Sequence, residues 1–424
     1  MREILIVGGG ASGILVATQI ARQASSPLSV HIAEPNGVLG RGLAYGTGDE
    51  GHLLNVPAGR MSALPSDPSH FKNWAGCGES EFISRRRYGR YLLETFLEAQ
   101  KGNRNASFLH QRCRVERIER KDSSFQVTAE TGPLGKFDAV VLALGHGMSN
   151  SLPLDDSVIS SPKYINDPWR DGVPSFEGTL LSIGTGLTFI DLALSHLRRS
   201  DANTVIGLSR TGDLPQPHLK VRSAPLPVPH EAKASPAALR SYIDGQNDWR
   251  AAQDGVRHLF PEIWFGWSED DKLDFWSQHL RWWNVHRHRM APEIEEELSC
   301  FMAKDRLKIV GAPHHQLKES DSGFVLKTGA DEVCSVDYIV NSTGYRSMES
   351  SPLYRTMAEQ GLVALGPLGL GIRSNYPSFE VIDQQENVVE GLFAIGPVLL
   401  GERFETTAIP ELREQAEKIA TELS

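Results

Sequence analysis

The chain has 424 residues, 40% of them hydrophobic and 23% charged, which is ordinary for a globular protein and long enough for two or three domains. Its formal net charge of −10 argues against nucleic acid or an anionic membrane as the main partner. The four cysteines (Cys77, Cys113, Cys300, Cys334) lie far apart with no CxxC, which excludes a redox dithiol and a cysteine-rich zinc site, and no metal is expected.

The chain starts with an apolar run, Ile4 to Val7, that ends in Gly8-x-Gly10-x-x-Gly13 and turns helical. A second apolar run, Leu28 to Ala33, ends at Glu34. This strand–turn–helix–strand–acid layout is that of a dinucleotide site. Gly8 permits the tight turn, Gly10 lets the backbone approach a pyrophosphate, and Gly13 lets helix and strand pack closely. The helix N-terminus, with Ser12 in its first turn, favours the anion, and Glu34 accepts hydrogen bonds from a ribose. The apolar run is too short for a signal-peptide core, and no run approaches the ~18 residues of a membrane span, so a cytoplasmic enzyme is the expectation.

A Gly-rich loop follows from Pro35 to Thr47. Its Arg41 is a candidate for cofactor phosphates, or a solvated surface charge. Leu54-Asn55-Val56-Pro57 has the small and polar residues that line a flat ring system. Asn55 either bonds a flavin edge or caps a turn. Ser69–Ala75 and Ser84–Ala99 read as helices, the second opening on Arg85-Arg86-Arg87. From Ser107 to Lys136 the text is strand-like and hairpin-like, with Val115 in its second run, and a further strand ends in Leu144-Gly145. A βαβ unit, a small antiparallel meander, then a strand ending in Gly is the order of an FAD domain of the glutathione-reductase type.

Ser149–Pro174 reads as a linker. A second βαβ unit has the strand Thr179–Ile183, the turn Gly184-Thr185-Gly186, a helix from Leu187, and a strand tipped by Ser209-Arg210. Its third glycine position is Phe189. A hydroxyl and a guanidinium where the first unit has an acid suit a 2′-phosphate, which selects NADPH over NADH; the other reading of Arg210 is a surface charge. Residues 213–230 form a Pro/His-rich loop. Residues 231–303 read as a helical insertion that holds six of the eight tryptophans and ends near His286-Arg287-His288-Arg289. That run is a candidate anion site for a substrate carboxylate or cofactor phosphate, with His286 and Arg289 as candidate catalytic residues. Strands resume, one leading into Thr343-Gly344. The chain closes with Gly396-Pro397, Thr406-Thr407 and a helix to Leu423, whose N-terminus is expected to face a flavin pyrimidine.

The predicted architecture is α/β, with two Rossmann-like nucleotide-binding domains. A discontinuous FAD domain covers 1–165 and 332–424, and an NADPH domain covers 166–331 and carries the insertion at about 231–303.

Gly42-Leu43-Ala44-Tyr45, Leu54-Asn55-Val56-Pro57-Ala58, Gly184-Thr185-Gly186-Leu187-Thr188, His286 to Arg289, Gly366 to Gly371 and Ala408 to Arg413 carry a resemblance. With the first glycine turn they make the chain similar to bacterial FAD-NAD(P)-binding proteins, relatives of class B and N-hydroxylating flavin monooxygenases. Gly396-Pro397 departs from the Gly-Asp of many flavin reductases, and the Baeyer–Villiger fingerprint is absent. The resemblance implies a flavoprotein oxidoreductase using FAD, NADPH and O2. The expected reaction is oxygenation of a small, polar, nitrogen-bearing, amino-acid-like substrate through a flavin C4a-hydroperoxide. The alternatives are an NADPH-dependent reductase or oxidase without oxygen transfer, and a redox-sensing flavoprotein without turnover. Oligomeric state, monomer or homodimer, is left open.

Overall fold

The computed structural model describes residues 1–221, 223–328, 331–345 and 351–424. It holds two sheets, one parallel throughout and one parallel at its centre with an antiparallel edge, each accompanied by its own antiparallel meander. The first sheet has seven strands in the order Ser374–Asn375, Glu380–Ile382, Val388–Ala394, Ala139–Leu142, Arg2–Val7, Leu28–Ala33, Ala106–Gln111. Its centre is parallel: Arg2–Val7 pairs on one side with Leu28–Ala33 and on the other with Ala139–Leu142. Such a strand is covered on both faces, which is why Ile4, Leu5 and Ile6 form an unbroken apolar run and are fully buried. The helices Ala11–Gln23, Arg85–Gly102 and Ile409–Leu423 pack together beside it. Ser84 starts the second of these by accepting a hydrogen bond from the Arg87 N–H at 3.2 Å.

The second sheet has five strands in the order Leu307–Gly311, Thr204–Ser209, Thr179–Ile183, Tyr338–Asn341, Tyr164–Ile165, all parallel. The meanders are Val115–Lys121, Ser124–Ala129, Gly132–Phe137 for the first half and Gln316–Glu319, Phe324–Thr328, Asp331–Val336 for the second. Two strands sit differently from the sequence division. Tyr164–Ile165 and Tyr338–Asn341 are hydrogen-bonded into the second sheet, although boundaries at 165 and 332 count them with the first. Short apolar runs carry no mark of which sheet they will join; pairing decides it.

The two crossings between the halves are zipped together. Asn150 donates its N–H to Gly344 O at 3.1 Å and its amide to Thr343 O at 2.9 Å. Asn341 returns a bond to Asn150 O at 2.7 Å.

The insertion is helical, as expected. It holds the helices Pro236–Asp244, Trp249–Gly266, Glu269–Asp274, Leu280–Arg287 and Pro292–Ala303, with a π-helical turn at Phe275–His279. Trp264 and Trp283 are fully buried with Phe260 and Phe275. Phe404, from the C-terminal segment, completes this cluster, its ring centroid 5.1 Å from that of Trp264. Trp264 Nε1 also donates to Gly401 O at 2.8 Å. The insertion is thus chained to the first half, although it is spliced into the second. Among the described residues no helix is long and apolar enough to cross a membrane.

Candidate functional site: two glycine cradles and the cleft between them

The first glycine turn is as tight as its spacing requires. Gly8 has φ +105°, and a Cβ there would lie 2.3 Å from Ala143 O. A Cβ on Gly13 would lie 1.9 Å from Gly8 O. At Gly10 the space is looser, the nearest atom being Gly42 Cα at 3.4 Å, which places the Pro35–Thr47 loop over the turn. Gly10 begins the Ala11–Gln23 helix, and no side chain caps it. Its N-terminal N–H groups are therefore left for an anion. Glu34 is buried and already oriented. Its Oε2 accepts from the Gly9 N–H at 2.9 Å, and its Oε1 accepts from the Asn36 N–H and side-chain amide, both at 2.9 Å. These use three of a carboxylate's roughly four lone-pair sites, which leaves one on Oε2 for a ribose hydroxyl. The Arg41 guanidinium makes no hydrogen bond or ion pair with the described residues, while its backbone oxygen accepts from the Tyr45 N–H at 3.1 Å.

The C-terminal segment comes to the same place. A Cβ on Gly396, whose φ is +82°, would lie 2.8 Å from Ser12 Oγ, so Gly396 and Ser12 meet across 384 positions of sequence. Thr406 is fully buried. Its hydroxyl donates to Gly396 O at 3.2 Å and accepts from Gln415 at 2.9 Å. The Thr406 proton is thus committed to holding this turn. Thr407 is exposed and precedes the Ile409–Leu423 helix, which also lacks a side-chain cap. Val115 is buried at the start of the meander, and Gly145 has φ +66° with open space above it.

The second cradle repeats the plan with different residues. Gly184 has φ +103°, and a Cβ there would lie 2.5 Å from Ser342 O. Gly186 begins the Leu187–Leu197 helix with no side-chain cap. Thr185 Oγ1 lies 2.6 Å from Asp213 O and 3.0 Å from Ser209 Oγ. The carbonyl only accepts, so the Thr185 proton goes to it, and the contact with Ser209 is left to the Ser209 proton. Ser209 Oγ in turn accepts from the Gly212 N–H at 3.0 Å. Arg210 is exposed, with no hydrogen-bond or ion-pair partner among the described residues. Gly344, φ +90°, ends the strand beside this turn.

A crevice beside the helix of the second cradle is lined by Leu53, Leu54, Asn55 and Arg85 from the first half, by Leu187, Ile190 and Asp191 from the second, and by Met290, Ala291 and Ile294 that follow the insertion's Leu280–Arg287 helix. Asn55 thus lies opposite the helix that opens at Gly186. Its side-chain amide has no hydrogen-bond partner among the described residues. Its backbone oxygen accepts from His218 Nε2 at 3.0 Å, so the Pro/His-rich loop is fixed to the Asn55 segment. Deeper in the crevice Arg85 faces Asp191, with Nε and Oδ2 at 3.3 Å. Burial raises the Asp191 carboxyl pKa, and Arg85 opposes that.

The His286–Arg289 run sits at the joint between insertion and first half, and its cations are already paired. Arg289 is 3% exposed and donates to Asp254 Oδ1 at 2.8 Å. Arg287 Nη2 donates to Glu405 Oε2 at 2.8 Å, and Trp283 Nε1 donates to Glu405 Oε1 at 3.1 Å. Burial alone would raise the Glu405 carboxyl; Arg287, His288 and Arg257 around it hold it below its ordinary range. His286 Nδ1–H donates to Trp282 O at 2.8 Å, and its ring lies against Trp249 and Trp282. An open anion site at Arg289 is therefore a correction to the sequence expectation: a carboxylate ligand would have to displace Asp254. Local sequence offered no sign of this, because Glu405 lies 118 positions from Arg287. Also missed was Arg281, which reaches the second cradle from the insertion. Among the described residues no group of His, Cys, Asp or Glu is placed to hold a metal.

Residues 5–147 match a family model described as FAD-NAD(P)-binding. No curated protein sequence matches the chain. Solved structures do. The ornithine N-hydroxylase of Kutzneria sp. 744 superposes with a TM-score of 0.66 at 13% identity, covering 99% of this chain and 98% of that one. The ornithine hydroxylase of Pseudomonas aeruginosa in its reduced form gives 0.66 at 15% identity, with both chains fully covered. The thioredoxin reductase of Lactococcus lactis gives 0.53 at 12% identity over 100% of this chain and 97% of that one. At such identities the likeness speaks to fold, and it spans the whole length: the chain has the two-domain Rossmann-like architecture of these flavoproteins, and its first third carries the FAD-NAD(P)-binding segment.

Proposed function

We propose that the protein is an FAD-dependent, NADPH-driven monooxygenase that oxygenates the nitrogen of a small, polar, amino-acid-like substrate. One observation carries the reading. Two glycine turns open helices without side-chain caps, the first tipped by a buried acid and the second by a guanidinium with no partner among the described residues, and Asn55, whose amide has none among them either, lines the crevice beside the second helix. The residues fit the two cofactors. Gly8 and Gly13 leave no room for a side chain against the backbone at Ala143 and Gly8, which holds the turn tight enough for Gly10 to meet a pyrophosphate, and Glu34 suits an unphosphorylated ribose. Arg210 suits a phosphorylated one. FAD, when bound, accepts hydride from NADPH and activates O2.

The chain's own residues do the rest. Gly8, Gly10 and Gly13 seat the first pyrophosphate, with Arg41 as its counter-charge. The Ile409–Leu423 helix turns its positive end toward the ring system and favours negative charge there. Asn55 orients what enters the crevice through its amide, with its backbone held by His218. The buried tryptophan cluster and the His218 loop exclude water. The likeness to the ornithine N-hydroxylase of Kutzneria sp. 744 supports nitrogen as the oxygenated atom, and that to a lysine 6-monooxygenase from Pseudomonas syringae at TM-score 0.65 supports an amino-acid-like substrate. The overall balance is substrate, O2, NADPH and a proton giving oxygenated substrate, water and NADP+.

The test is an anaerobic titration of the purified flavoprotein with NADPH and NADH, followed by a screen of amino acids and diamines for accelerated oxygen uptake. The expected result is bleaching by NADPH and a product heavier by one oxygen atom. NADPH consumption that yields only peroxide with every substrate makes the protein a reductase or oxidase. Failure of NADPH to bleach the flavin makes it a non-catalytic flavoprotein.

A further inference from the structure

Arg281 lies in the Leu280–Arg287 helix of the insertion, far in sequence from either cradle. Its Nη2 donates to Thr185 Oγ1 at 3.1 Å, in the second glycine turn itself, and to Asp213 O at 2.7 Å. Nε lies 3.7 Å from the Asp213 carboxylate. Nη1 has no partner among the described residues. Burial lowers the Arg281 pKa, Asp213 opposes that, and Arg210 is close enough to lower it further by like-charge repulsion. Two guanidinium groups therefore converge on the tip of the second cradle, one on the Thr204–Ser209 strand end and one from the insertion. A single exposed carboxylate, Asp213, stands against them. That leaves net positive charge where an adenosine ribose would lie. A ribose hydroxyl does nothing to balance it; a phosphate, with close to two negative charges, does.

The helix carrying Arg281 is not aimed by accident. Trp283 and Arg287 are four residues apart, hence on one helix face, and both donate to Glu405. Arg281, two residues before Trp283, points the other way, into the second cradle. The π-helical turn at Phe275–His279 immediately precedes the helix and sets its rotation. One short helix thus reaches the C-terminal segment of the first half with one face and the nucleotide turn of the second half with the other.

We propose that Arg281 is a second cofactor-specificity residue, which with Arg210 grips the 2′-phosphate of NADPH from the insertion side. The inference rests on the reading of the second cradle as an NADPH site. Its test uses FAD-loaded protein at fixed ionic strength, with 2′,5′-ADP and 5′-ADP as calorimetric probes and anaerobic flavin reduction by NADPH and NADH alongside. Arg281→Ala is expected to weaken 2′,5′-ADP by about 10–100-fold, the usual loss for a charge-assisted bond to phosphate, while 5′-ADP changes by less than about 3-fold. Arg281→Lys keeps the charge without the fork and recovers only part of the loss; it also serves if the alanine variant fails to retain FAD. Equal losses for both probes would mean that Arg281 merely holds the Thr185–Asp213 turn, and no loss would mean that it is no ligand; either overturns the assignment. If Arg210→Ala loses the preference for 2′,5′-ADP and the Arg281 variants keep it, Arg281 alone is misassigned. If the unaltered protein does not prefer 2′,5′-ADP, the NADPH reading falls as well.

Discussion

The two glycine cradles solve one packing problem in opposite ways. In the first, the helix supplies the small residue: Gly13 lies so close to the Gly8 carbonyl that a Cβ would sit at 1.9 Å. In the second, the corresponding helix residue is Phe189, which is fully buried. The room comes from the neighbouring strand, where a Cβ on Gly207 would lie 2.8 Å from the Phe189 ring. A fingerprint that looks degenerate along the chain is therefore complete in space, with the glycine moved across to the sheet. The tips differ as well. Glu34 is buried and held by two backbone N–H groups and an amide, whereas Arg210 is exposed and has no partner among the described residues. The acid is fixed before any ribose arrives. The guanidinium is left free for an anion.

The largest expected effect breaks the first cradle. Gly13→Ala puts a methyl group into the Gly8 carbonyl, so the variant is expected to purify without flavin absorbance or to be insoluble. Gly10→Ala, with 3.4 Å of space, should fold and lose only part of its FAD, and Gly186→Ala, with nothing within 4 Å, should keep the fold and its FAD. Flavin content per protein measures all three; full flavin in Gly13→Ala would contradict the close-packing role.

A smaller effect tests the exchange of glycine between helix and strand. Gly207→Ala forces the Phe189 ring aside and should cost about 1–3 kcal/mol of stability, as overpacking of a filled core does. The double variant Gly207→Ala with Phe189→Leu should regain part of that loss. Urea unfolding midpoints decide it, and additive losses would show that the two positions do not share their space.

Next comes the tip. Arg210→Ala should weaken NADPH about 10–100-fold and leave NADH nearly unchanged. Glu34→Gln should affect FAD retention and not the nicotinamide preference. A crossed result, with NADPH preference following Glu34, would reverse the assignment of the cradles.

The smallest effect concerns the joint that ties the insertion to the first half. His288 follows the Leu280–Arg287 helix, and its pKa is pushed down to about 4, first by burial and then by Arg287 beside it. An unfolded histidine titrates near ~6.5. Between those values the unfolded chain takes up a proton that the native one refuses, so stability falls as pH drops through that window. His288→Gln should flatten the fall in unfolding midpoint between pH 7 and pH 4.5; an unchanged slope would place the acid sensitivity elsewhere.

Legibility in the sequence was uneven, for physical reasons. Local requirements leave local marks. The turns at Gly8 and Gly184 need a left-handed backbone conformation, parallel central strands need unbroken apolar runs, and Ser84 and Pro410 announce helix starts. These gave the α/β class, both cradles, the first meander and the helical insertion. Of the six tryptophans concentrated in the insertion, Trp264, Trp267 and Trp283 form a buried cluster. What the sequence left open was the fate of charged side chains, because an ion pair depends on partners brought together from afar. Arg287 met Glu405 and Arg289 met Asp254, so the His286–Arg289 run became a brace, while the Arg41 and Arg210 guanidinium groups have no partner among the described residues.

The sequence by itself thus determined where a backbone must turn tightly and which segments must be buried, since both are conditions on neighbouring residues. The tertiary structure decided which sheet took Tyr338–Asn341, which glycine made room for Phe189, and which arginine reached the second cradle. Each of those depends on distances between residues that the chain order does not fix.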